Sequence, residues 1–97
     1  MSVIVDFSIF PIGKEESVSK YASKAVKIIK DSGLPHHIGP MGTAIEGEWD
    51  EVMTVVKSCM EALKRDCNRL YMTMKVDCRS SKRSPFSFLK NRLMFRG

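Results

Sequence analysis

Gly39-Pro-Met-Gly-Thr-Ala-Ile-Glu-Gly-Glu-Trp-Asp50 places three glycines around one short stretch that leads into a helix. Gly39-Pro40 reads as a hairpin turn, residues 41–47 as a strand, and Gly47 as the bend before the helix that Asp50 and Glu51 open. Glycine weakens a strand unless the missing Cβ serves a turn, a bulge or the close approach of another group. The stretch therefore has two readings. One is turn and bend chemistry alone. The other is a place where Thr43 and Glu46, with room left around them, orient a small polar molecule.

Working outward, residues 34–38 form the strand before the turn, so the middle of the chain is a hairpin. A helix precedes it: Val18, Tyr21, Ala22, Ala25, Ile28 and Ile29 recur at three- and four-residue steps, with lysines on the other side. Ser17 is its predicted N-cap and Ser32-Gly33 its stop. A second stripe follows the hairpin, running through Trp49, Val52, Met53, Val56, Cys59, Met60 and Leu63. Alternating segments close both ends. Val3, Val5, Phe7 and Ile9 share one face of the first strand, and Leu70, Met72, Met74, Val76 and Cys78 one face of the last. The order βαββαβ predicts an α+β, ferredoxin-like sandwich: a four-stranded antiparallel sheet with two helices on one face. The other face would carry Ile4, Asp6, Ser8 and Phe10 beside Tyr71, Thr73, Lys75 and Asp77, a mixture that predicts self-association through the sheet.

Ninety-seven residues suffice for one small domain, placed at residues 1–78. Residues 79–97 form a basic extension, read as a flexible tail or a short helix with Phe86, Leu89 and Leu93 on one face. The net charge of +5 belongs to this extension, which has six Lys/Arg and no acid, against ten Lys/Arg and eleven Asp/Glu before it. Nucleic-acid binding is thus not a property of the domain, and remains only a weaker option for the tail. No apolar run approaches the ~20 residues of a membrane span, and with no signal peptide and three cysteines in no redox or zinc pattern the chain is expected to be cytoplasmic.

Catalysis has little to stand on. His36 and His37 are adjacent on a strand and point to opposite faces, so they do not share a metal, and no other cluster has metal-ligand spacing. Gly39-Pro-Met-Gly lacks the ending of a phosphate loop. Glu46 is an acid in mid-strand. It would be paired under the helices, meet a partner subunit on the other face, or receive an amino-bearing ligand. Thr43, three residues earlier, faces the opposite side in a regular strand; only a bulge would bring the two together.

Pro11-Ile12-Gly13, Ser17-Val18-Ser19-x-Tyr21 and Gly42-Thr43-Ala44-Ile45-Glu46-Gly47-x-Trp49-Asp50-x-Val52-Met53 together resemble the thiamine-binding-protein-like, or YkoF-like, family over residues 3–78. The resemblance implies a ferredoxin-like fold, homodimers that pair into homotetramers through their sheets, and non-catalytic binding of thiamine or its hydroxymethylpyrimidine moiety, with no other cofactor. It places the pocket beside Pro11, Ser17, Ser19 and Tyr21 on one side and Met41, Gly42, Thr43 and Glu46 on the other. An interaction or regulatory module that assembles through its open sheet, with a different ligand or none, is the competing expectation. The acid-free residues 80–97 depart from the family pattern, which usually continues into a mixed-charge helix.

Overall fold

A computed structural model describes residues 1–13 and 18–80, with only the backbone described at Val18 and Ser19. The elements are β1 (Ser2–Pro11), α1 (Val18–Asp31), β2 (His36–Ile38), β3 (Thr43–Glu48), α2 (Trp49–Lys64) and β4 (Leu70–Arg79). The sheet order is β2-β3-β1-β4, every neighbouring pair antiparallel, with β1 and β3 central. This is the ferredoxin-like arrangement the alternation predicts. Ser17 and residues 81–97 lie outside the described residues, so the N-cap of α1 and the C-terminal extension are not tested.

Cross-strand partners share a face, so the register sorts the side chains. Val5 pairs with Ile45 on one side and Val76 on the other, and Phe7 with Thr43 and Met74; these face the helices. Ile4 pairs with Glu46 and Asp77, and Asp6 with Ala44 and Lys75, on the far face. The core joins Val3, Val5, Phe7 and Ile45 to Tyr21, Ala25 and Ile29 of α1 and Val52, Val55, Val56, Cys59 and Leu63 of α2.

Each helix has local reasons for its ends. Gly33, at φ +75°, stops α1 in the left-handed region that favours glycine, and the Ser32 hydroxyl donates to the Ile29 carbonyl at 2.6 Å. At the start of α2 the Glu48 amide donates to Glu51 Oε1 at 3.3 Å, while the Trp49 amide donates to the Met1 carbonyl and the Met1 amine meets Glu48 Oε1 at 2.9 Å.

Three expectations are corrected. Trp49, read as part of the α2 stripe, is 43% exposed, because it stands at the first turn beside Met1, outside the helix-sheet interface; Val55 is the buried residue that reading missed. Cys67, expected to be partly exposed, is buried against the core. The far face is not uniformly bare: Ser2, Ile4, Ala44 and Glu46 are at most 5% exposed. They lie on the two central strands, where a side chain is walled by neighbours on both sides, as Ile4 is by Glu46 and Asp77.

Candidate functional site

The glycines of the central stretch have packing roles. A Cβ at Gly42 would sit 3.0 Å from Asp6 Oδ1 and 3.2 Å from the Phe7 carbonyl oxygen, so its absence lets the hairpin close onto β1. A Cβ at Gly47 would meet Val52 at 3.2 Å and Leu34 at 3.5 Å, so its absence lets α2 seat on β3. The turn itself is closed by the Gly39 amide, which donates to the Gly42 carbonyl at 2.9 Å.

By holding the hairpin down, these contacts shape a cleft of about 410 Å³ between β1, α1 and the β2–β3 turn. Phe7, Ala22, Val26, Ile29 and Ile38 are among its walls, and Met41, Gly42 and Thr43 form its rim. No charged side chain lines it among the described residues. Its two polar side chains are Ser8 and Thr43, and the Ser8 hydroxyl already pairs with that of Thr73 at 2.9 Å. Thr43 is therefore the polar group that the cleft presents. Met41, 90% exposed, hangs at the mouth on a flexible thioether.

The predicted site residues divide. Met41, Gly42 and Thr43 come together at this cleft. Glu46 does not join them, because β3 runs without a bulge from Ser2↔Glu48 to Phe7↔Thr43, which puts Thr43 under the helices and Glu46 on the far face. There Glu46 is buried and engaged rather than free. Tyr21 is buried in the core, and its hydroxyl donates to the Asp66 carbonyl at 3.0 Å, while Lys24 pairs with the Asp66 carboxylate. It ties α1 to the α2–β4 connection. Pro11 is buried opposite Leu70 at the end of β1, away from the rim. Ser19 lies on α1 with its side chain undescribed. The cleft walls Phe7, Ala22 and Ile29 were legible only as apolar faces, since periodicity marks a lining residue and a core residue alike.

His36 and His37 fall on opposite faces as adjacent strand residues must. His36 Nδ1 lies 2.8 Å from the Leu34 carbonyl oxygen, and His37 is exposed. No group of three or more His, Cys, Asp or Glu is placed to hold a metal among the described residues. Burial pushes the Cys59 thiol from its ordinary value near 9 up to about 11, so this cysteine is a packed side chain and a poor nucleophile. No helix among the described residues is long and apolar enough to cross a membrane.

The family model for thiamine-binding proteins matches residues 5–87. The chain belongs to the thiamine-binding protein family. The match reaches past residue 78, where the sequence resemblance stopped, and takes in the first part of the basic extension. A UPF0045 protein of Mycobacterium bovis is 42% identical over 80 residues, covering 81% of this chain and 78% of the relative. A UPF0045 protein of Methanocaldococcus jannaschii is 36% identical over 80 residues, covering 82% and 80%. A crystal structure of a hypothetical protein from that archaeon superimposes with a TM-score of 0.80 at 32% identity, covering 96% of this chain and 95% of that one. A Thermotoga maritima protein, provisionally described as a thiamine biosynthesis/salvage protein, has a TM-score of 0.80 at 21% identity over 95% of this chain and 99% of its own, and shares the fold.

Proposed function

We propose that this member of the thiamine-binding family is a non-catalytic, cytoplasmic binding protein for thiamine, and that the cleft at Thr43 takes the hydroxymethylpyrimidine half. The carrying observation is that the cleft is apolar and free of charged side chains, with a single available hydroxyl at its rim. A neutral, flat aminopyrimidine loses little on entering such walls, whereas the thiazolium cation would be desolvated without a partner. Thr43 hydrogen-bonds the edge of the ring, and Met41 folds over its face. Glu46, on the far face, takes no part.

Association accompanies this reading. Phe10 and Tyr71 are 43% and 49% exposed on the far face, with ring centroids 5.5 Å apart, and offer an aromatic patch for a second copy in a homodimer that pairs into a homotetramer.

Calorimetry with thiamine and with free hydroxymethylpyrimidine tests the ligand. The two should bind with similar affinity, and Thr43→Val should weaken both by about tenfold, the worth of one hydrogen bond. Absence of heat from both ligands at millimolar concentration removes the reading, while normal affinity in Thr43→Val moves the site out of this cleft.

A further inference from the structure

The two edges of the sheet are unlike. β2 is three residues long, the short edge that discourages pairing with another chain. β4 is ten residues long, contains no proline, pairs with β1 from Leu70 to Arg79, and has no strand on its outer side among the described residues. On its helix side Met74 and Val76 are 37% and 40% exposed, and beside them lies an open cleft of about 530 Å³ whose lining includes Met1, Trp49, Val76 and Cys78.

We propose that β4 pairs antiparallel with β4 of a second copy, about a two-fold axis normal to the sheet at Val76, to give a continuous sheet through both chains. Such an axis keeps helix side on helix side, so opposed residues have the same parity. Charge then selects the register. With the axis at Val76, Lys75 lies opposite the partner's Asp77 and, by symmetry, Asp77 opposite the partner's Lys75. An axis at Lys75 opposes two lysines. An axis at Asp77 opposes two aspartates and sets Lys75 against the partner's Arg79, and one at Met74 leaves Lys75 opposite the partner's Thr73. On the helix side the favoured register sets Val76 against the partner's Val76 and Met74 against the partner's Cys78, removing from water the apolar groups that β4 leaves exposed. This edge is separate from the Phe10–Tyr71 patch and does not depend on the ligand.

The full-length chain carrying Met74→Cys provides the test. Under a mild oxidant at micromolar protein, the introduced thiol should form a disulfide with the partner's Cys78, roughly a hundredfold faster than any cross-link in the natural chain, because the reaction is intramolecular within the dimer. In the natural chain the two Cys78 would lie four residues apart along the strands, about 13 Å, too far to bridge. Adding Asp77→Lys opposes like charges and should abolish the acceleration and give a monomer in sedimentation; adding Lys75→Asp as well should restore both. Cross-linking of Met74→Cys at the natural rate, or acceleration that survives Asp77→Lys, overturns the proposal. So does a monomer whose outward β4 amides resist hydrogen exchange, since the chain's own residues 81–97 would then hold the edge.

Discussion

Val5 and Val76 are the same residue, direct partners across β1 and β4, on the same side of the sheet, yet Val5 is 0% exposed and Val76 is 40% exposed. The difference is one of position. β1 has a strand on each side and both helices above it, whereas β4 is an edge whose near end, Leu70 and Met72, packs on the core while Met74 and Val76 reach past it. A helix-facing parity therefore means a core residue at the centre of this sheet and an association surface at its rim.

The comparison can be broken most directly by putting a charge at each valine. Val5→Asp buries an unpaired carboxylate and should cost about 4 kcal/mol or more, enough to unfold much of a domain this small, whereas Val76→Asp should fold with a loss of about 1 kcal/mol or less and remain monomeric; urea denaturation and sedimentation read both. Equal costs would mean that β4 is covered as β1 is.

Cys59 and Cys78 sharpen it next. Below pH 9 the Cys59 thiol is protonated whether the chain is folded or not; between about 9 and 11 it ionises in the unfolded chain but stays protonated in the core. Its contribution is therefore complete below pH 9 and lost as pH rises to about 11, a decline of about 3 kcal/mol that Cys59→Ala should remove from the stability profile. Cys78, exposed on β4, should react with a thiol reagent in the native protein while Cys59 does not.

Smaller effects test how the covered half is pinned. Tyr21→Phe removes the hydroxyl that reaches the Asp66 carbonyl and should lower stability by about 1 kcal/mol in thermal unfolding, with thiamine affinity unchanged. Glu51→Ala takes away the acceptor of the Glu48 amide, at the boundary between the covered core and the exposed rim, and should cost about 0.5–1 kcal/mol. A loss of ligand affinity in Tyr21→Phe would return that residue to the site.

Much of this arrangement was legible in the residues. The alternation of Val3, Val5 and Phe7 gave the face of β1, and the spacing of Val52, Val56, Cys59 and Leu63 the buried stripe of α2, because both patterns are the geometry of the backbone itself. The three-residue interval between Thr43 and Glu46 already placed them on opposite faces of a regular strand, and the register bears this out. The site was less legible. Tyr21 fits a family motif and the α1 stripe equally well, and its engagement with Asp66, 45 positions away, cannot be seen from either.

Sequence alone determined the kind and order of the elements and the parity of each strand, since periods of two and of about 3.6 depend on neighbours along the chain. Tertiary structure decided which strand lies at the centre, and hence that Val5 is sealed and Val76 is not. It also decided that Met41, Gly42 and Thr43 rim a cleft walled by Phe7 and Ile29. Burial and cavities are made by residues distant in sequence, and no local pattern records which of them arrive.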